Sequence, residues 1–228
     1  ADLTGVDLSK HDLTDTILVK ANLSNADLTG VDLSKHDLTD TILVKANLSN
    51  ADLTGVDLSG RDLTGADLTG VDLSKHDLTD TILVKANLSN ADLTGVDLSG
   101  RLLTGILLQN ANLSNANFSN SNLSWASLHN AILNNTNIKF ADFRHADLSG
   151  QNLTHLDLKG VKLNYANLSS TNLSNLNLSN IDFSNADLNY ANLEGANLEG
   201  ANLFAIRSFN INFDNAILTC VGNAICEG

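Results

Sequence analysis

The chain has 228 residues and a formal net charge of −13, and 43% of its residues are hydrophobic but only 4% aromatic. This composition excludes a disordered polyelectrolyte, and the acidic balance argues against nucleic acid or an anionic bilayer as a direct partner. The sequence contains no run of about 18 apolar residues and no charged-then-apolar leader, so it predicts neither a membrane span nor an export signal.

A five-residue repeat runs through the chain. From Ala1 to Cys220 the sequence divides without a slip into blocks that begin ADLTG, VDLSK, HDLTD, and the third residue is Leu, Phe or Ile in every block except that of Ser208. A helix would spread these leucines around its axis, and one continuous strand would send alternate leucines to water. Short extended segments with a corner at every fifth residue instead point the first and third positions inward and the second and fourth outward.

These blocks resemble the pentapeptide-repeat family, whose consensus is A-(D/N)-L-x-x. The resemblance is close from Ala1 to about Ala205 and fades by Cys220. It implies an all-β fold, a right-handed quadrilateral parallel β-helix with four blocks per coil and about 11 coils. Residues 20 apart are then stacked neighbours. We expect the solenoid to span residues 1–205, with the last irregular coil and a C-terminal cap at 206–228.

The first 100 residues consist of near-identical 25-residue units, whereas the blocks of 101–205 have diverged. Residues 1–25 recur identically at 26–50 and 66–90, which indicates recent duplication or an engineered array. A 25-residue unit on a 20-residue coil shifts each copy by one face, so second-position aspartates stack into two rows on adjacent faces. The first row is Asp12, Asp32, Asp52, Asp72 and Asp92, and the second is Asp37, Asp57, Asp77 and Asp97.

The two acidic rows have two interpretations. Regularly spaced anions can imitate a nucleic-acid backbone, and some pentapeptide-repeat proteins resemble DNA in this way and bind type II topoisomerases. The structural alternative is that Asp and Asn at this position hydrogen-bond to nearby backbone and keep the rod soluble. The sequence favours the structural interpretation, because the unbroken frame lacks the looped insertions of some topoisomerase-protecting relatives.

Large polar residues interrupt the first position, where the family keeps small residues. They are His11, His36, His76, Arg61, Arg101 and Gln151. Burying such groups without partners is costly, so we expect the side chains to swing outward or to distort the coil. His36 and His76 would lie two coils apart, too far to share a metal ion, while His129, His145 and His155 are scattered. The sequence therefore predicts no metal site and no cofactor.

Four outward apolar residues, Ile82, Val84, Leu102 and Leu107, predict an exposed patch for a partner or a dimer. The N-terminal end has no visible cap, so end-to-end association is a further expectation. At the other end, Ser208 and Phe209 predict a deformed closing coil. Cys220 and Cys226 could form a disulfide or remain thiols.

No phosphate loop, nucleophile triad or CxxC motif occurs, and the aspartates form rows rather than converging in a pocket. The sequence therefore predicts a non-enzymatic scaffold that presents its flat faces to a protein partner. The alternatives are an acidic DNA mimic acting on gyrase or topoisomerase IV, and an engineered repeat array.

Overall fold

The computed structural model describes residues 1–227, in which parallel bridges join second-position residues of successive coils. The bridges run from Asp2–Asn22 at one end to Asn202–Val221 at the other. Since paired residues lie 20 apart and each block forms one side, four blocks complete a coil of a parallel β-helix. We number the faces by their first blocks: face 1 begins with residues 1–5, face 2 with 6–10, face 3 with 11–15 and face 4 with 16–20.

Each corner is a tight turn closed by one backbone hydrogen bond. The amide of Val6, for example, donates to the carbonyl of Leu3 over 3.2 Å. The fifth residue has a positive φ, 70° at Gly5 and 57° at Asn25. A positive φ at the third residue of a four-residue turn is typical of a type II turn, which favours Gly and Asn. The prediction that the fifth position turns the chain is confirmed.

The inward side chains form one continuous apolar core along the axis of the rod. Third-position leucines from Leu8 to Leu203 are buried, together with Phe118, Phe143 and Phe183, and first-position alanines fill the space between them. The inward assignment of positions one and three is therefore confirmed. Only small or branched side chains fit around such a narrow axis, which explains the low aromatic content.

The last coil departs from the regular pattern. Ser208 is exposed and Phe209 is 64% exposed, so this block contributes no third-position side chain to the core. Asn202 pairs with Val221, 19 residues later, and a 3₁₀ helix, Ala224–Glu227, follows. Cys220 and Cys226 form a disulfide in the structure, with Cα atoms 5.0 Å apart. The boundary expected at residue 205 stays a prediction.

The helix Ala224–Glu227 is the only helix in residues 1–227. Within this described part of the chain, no helix has the length and apolar character needed to cross a membrane.

Candidate functional site

Faces 3 and 4 of the first 100 residues carry the acidic surface, which we define by the nine aspartates of the two predicted rows. Bridges Asp32–Asp52 and Asp72–Asp92 show the stacking in the first row directly. Eight of the nine side chains are exposed, and Asp92 is half-buried. Faces 1 and 2 of the same segment carry only five second-position aspartates, so the negative charge is concentrated on one side of the rod.

Each carboxylate of the acidic surface is held in place by the residue two positions later. Oδ1 of Asp57 accepts hydrogen bonds from the backbone amide of Ser59 over 2.9 Å and from its hydroxyl over 2.6 Å. Asp77 makes the same pair of contacts with Thr79, at 2.8 and 2.6 Å. This Asx arrangement explains why Ser or Thr follows Asp-Leu in block after block. Asn makes the same amide bond, as at Asn22, where Oδ1 accepts from Ser24.

These hydrogen bonds lower the pKa of the aspartates. The hydroxyl of the following Ser or Thr is the largest cause, followed by its backbone amide, at Asp12, Asp32, Asp37, Asp57, Asp72 and Asp77. At Asp97 the backbone amide of Ser99 comes first in lowering the pKa. Charge repulsion from Asp57 raises the pKa of Asp37 and Asp77, but less than the hydrogen bonds lower it. Both rows are therefore ionised at neutral pH.

The lowered pKa values predict an acid-sensitive fold. A carboxyl group whose pKa is lower in the folded chain adds stability above its unfolded pKa, about 4, and that stability disappears as the pH falls through the folded value. We expect the melting temperature to fall below about pH 4. Replacing Asp37, Asp57, Asp77 and Asp97 by Asn keeps the acceptor oxygen but removes the titration.

This fourfold variant should lose less stability than the parent between pH 5 and pH 2, as followed by circular dichroism. Equal acid sensitivity in the two proteins would show that the Asx hydrogen bonds do not favour the ionised aspartates.

The large first-position residues do not simply swing outward. Gln151 is buried, and its Nε2 donates to the Leu128 carbonyl over 2.6 Å. His36 and Arg61 are half-buried, with His36 Nε2 2.9 Å from the carbonyl oxygen of Leu13. Inward placement corrects the outward alternative for these residues. The other alternative, a distorted coil, is confirmed by missing backbone bonds between coils at these corners.

The predicted apolar patch lies on both sides of one corner. Leu102 is 58% exposed on face 1, Leu107 is exposed on face 2, and Gly105 forms the corner between them. Ile82 is exposed one coil earlier in the column of Leu102, whereas Val84 is half-buried. The structure thus brings the four residues to one region of the surface, and their role in binding stays a prediction.

One coil above Gly105 begins an aromatic stack that the sequence analysis missed. Trp125 lies parallel to His145, with ring centroids 4.1 Å apart, and His145 stacks on Tyr165 at 4.7 Å. Trp125 is 62% exposed, and all three residues have positive φ. His145 is therefore not an isolated histidine. Its fifth-position register, 20 residues from both neighbours, was the signal that could have revealed the stack.

A buried carboxylate marks face 1 beside this stack. Asp142 is buried and lies 2.7 Å from the guanidinium of Arg144 and 3.7 Å from the ammonium of Lys162. Burial raises the pKa of Asp142, but the hydrogen bonds and charge of Arg144, with the charge of Lys162, lower it further. The group is therefore ionised and neutralised locally, and it adds no free charge to this face.

Residues 1–227 contain no group of three or more His, Cys, Asp or Glu side chains placed to hold one metal ion. The acidic rows lie on flat exposed faces, so their carboxylates point to solvent and not toward a common centre. This arrangement suits recognition of a large surface rather than chemistry on a small molecule.

Comparison with known proteins places this geometry in a family. The profile described as pentapeptide repeats matches residues 1–34, 21–60, 62–100, 102–139, 131–169, 141–180 and 166–203. The chain belongs to the pentapeptide-repeat family. Pentapeptide-repeat proteins fold as right-handed quadrilateral β-helices, as expected from the sequence, and generally act as non-enzymatic scaffolds. None of the curated proteins compared with the chain matches it.

Several solved pentapeptide-repeat structures are similar to the chain. HetL from the cyanobacterium Nostoc sp. strain PCC 7120 is 32% identical, with 96% of this chain and 90% of HetL covered and a TM-score of 0.34. Full-length QnrB1, a plasmid-mediated fluoroquinolone resistance protein, is 19% identical, with 94% and 92% covered and a TM-score of 0.25. Rfr23 from the cyanobacterium Cyanothece 51142 is 26% identical, with 68% and 90% covered and a TM-score of 0.14.

Proposed function

We propose that the chain is a non-enzymatic scaffold that binds a protein partner through the acidic surface on faces 3 and 4. The observation that carries the proposal is the concentration of nine aspartates on two adjoining faces, each with its carboxylate fixed by a hydrogen bond from the residue two positions later. Fixed anions lose little conformational freedom on binding, so they favour a rigid, complementary basic surface.

A DNA-mimic function on a type II topoisomerase is the second candidate. Two parallel rows of ionised carboxylates repeat with the coil, at about 4.8 Å per step for a β-ladder, and present a linear array of anions to a DNA-binding groove. The likeness to QnrB1 concerns the fold, so this candidate depends on the two rows alone. The engineered-array hypothesis is a question for the encoding locus.

The acidic surface can be tested with two variants that change the net charge equally. The first replaces the face 3 row, Asp12, Asp32, Asp52, Asp72 and Asp92, by Asn. The control replaces the five second-position aspartates of faces 1 and 2, Asp2, Asp7, Asp27, Asp62 and Asp67, by Asn. Asn retains the Asx hydrogen bond to the following amide, so both variants should fold.

We expect a protein that binds the parent to bind the face 3 variant at least about tenfold more weakly and the control variant within about twofold. Affinity capture with all three immobilised proteins, followed by titration of each retained protein, measures this difference. Equal loss in both variants would indicate attraction by net charge without a defined surface. Equal retention by all three would contradict the proposal.

A DNA gyrase supercoiling assay with the three proteins titrated in separates the two candidates. Inhibition or drug protection by the parent and the control, and not by the face 3 variant, would support the DNA mimic. Absence of any effect with the parent would remove this candidate and leave the scaffold proposal standing.

A further inference from the structure

The backbone ladder between coils is complete on one side of the rod. Where it is complete, two stacked blocks share three hydrogen bonds. Between residues 46–50 and 66–70 on face 2, Leu48 N donates to Asp67 O over 2.7 Å, Asp67 N to Ala46 O over 2.9 Å, and Asn50 N to Thr69 O over 2.8 Å. The next pair on face 2 repeats this pattern. This face therefore closes tightly along the first half of the chain.

Faces 3 and 4 are interrupted in the same segment. Among the described residues, four pairs of stacked blocks share no backbone hydrogen bond. We call them seams: 11–15 with 31–35, 36–40 with 56–60, 51–55 with 71–75, and 76–80 with 96–100. Around the corner from each seam, the next pair of blocks keeps one bond of the three, such as Lys20 N to Thr39 O. Two similar interruptions, 131–135 with 151–155 and 156–160 with 176–180, lie in the second half.

Each of the four seams ends at a corner whose first-position residue is a histidine or an arginine. Between the coils, His36 Nε2 lies 2.9 Å from Leu13 O and His76 Nε2 lies 2.8 Å from Leu53 O. These two leucine carbonyls already accept the backbone bond of their own corner.

The two arginines end the other two seams in a similar way. The guanidinium of Arg61 lies 3.4 Å from Leu38 O, and that of Arg101 lies 2.8 Å from Asp80 Oδ1. In the closed pairs of face 2, the same position holds Ala46, Ala66 or Ala86. The size of the first-position residue therefore distinguishes open corners from closed ones in this segment.

We propose that His36, Arg61, His76 and Arg101 are wedges that hold neighbouring coils apart on one side of the rod, and that water hydrogen-bonds the backbone groups of the seams. Buried backbone amides need a partner, and the seams adjoin surface cavities of about 310 Å³ at His36 and about 240 Å³ at Arg101. The rod then has a closed side on face 2 and a hydrated, locally opening side on faces 3 and 4.

Amide hydrogen exchange tests the seams with controls inside the same chain. Leu38 and Leu78 lie in seams, whereas Leu48 and Leu88 donate 2.7 Å bonds on face 2, and all four side chains are equally buried. We expect the seam amides to exchange at least about a hundredfold faster than the face 2 amides. Equal protection of the two pairs would overturn the proposal. The measurement needs assigned NMR spectra, because residues 26–50 and 66–90 are identical and give identical peptides.

Two variants test whether the wedges cause the seams. Arg61→Ala introduces the residue found at closed corners, so we expect it to fold and to slow exchange at Leu38 at least about tenfold while Leu78 stays fast. Arg101→Ala should slow exchange at Leu78 and leave Leu38 fast. Each variant is thus the control for the other. If both variants fold, as judged by circular dichroism, and neither amide becomes protected, the wedge proposal is wrong.

Discussion

Leu113→Asp is expected to lower the free energy of unfolding by about 5 kcal/mol or more. Leu113 is 0% exposed in a part of the rod where the ladder is complete, with its amide donating to Ile132 O over 2.9 Å. The substitution removes a packed side chain and places a carboxylate where no water or cation can reach it. Urea denaturation followed by circular dichroism gives the change in free energy.

Asn112→Asp is the matched control for this prediction. It adds the same charge one residue away, on the outward position, where Oδ1 already accepts from the Ser114 amide. The control should unfold within about 1 kcal/mol of the parent. If Leu113→Asp were as stable as Asn112→Asp, the inward assignment of the third position would be wrong.

Gly160→Ala is expected to destabilise the chain by about 3 kcal/mol, compared with about 1 kcal/mol for Gly150→Ala. Both glycines have a φ near 70°, so both substitutions strain the backbone. At Gly150 an added Cβ would meet nothing within 4 Å, whereas at Gly160 it would lie 2.7 Å from Cε1 of Phe140 and closer still to Cδ1. The Phe140 ring would have to leave the corner, and its contact with Lys159 would be lost.

The ring contact can be separated from the backbone strain by a double-mutant cycle. In a Phe140→Ala background the obstruction is gone, so Gly160→Ala should then cost only about 1 kcal/mol, like Gly150→Ala. Thermal melts of the four proteins supply the cycle. A cost at Gly160 that is unchanged by Phe140→Ala would show that the ring does not occupy the space above this corner.

The repeat frame made much of the structure predictable. A leucine at every fifth residue predicted the corners and the core, and spacing by 20 placed the aspartates of both rows in register. The same arithmetic applied to Trp125, His145 and Tyr165 would have predicted the aromatic stack, but these residues carry no common letter. Registers of identical residues are visible in a sequence, whereas registers of chemically related residues must be searched for.

The contacts of the first-position residues were only partly predictable. Histidine, arginine and glutamine at an inward position indicated a distorted coil, but not the direction of the side chains. Gln151 and His36 find backbone carbonyls one coil below, because the leucine carbonyl of each corner keeps a second lone pair. That acceptor exists only after the coils have stacked.

The sequence by itself determined the coil, the core and the two acidic rows, because each depends on a repeat of fixed length that a parallel ladder converts directly into position. The tertiary structure alone decided which coils close and which remain open, and which exposed rings stack. These features depend on side-chain size and direction between coils 20 residues apart, where the packing of one layer sets the hydrogen bonds of the next.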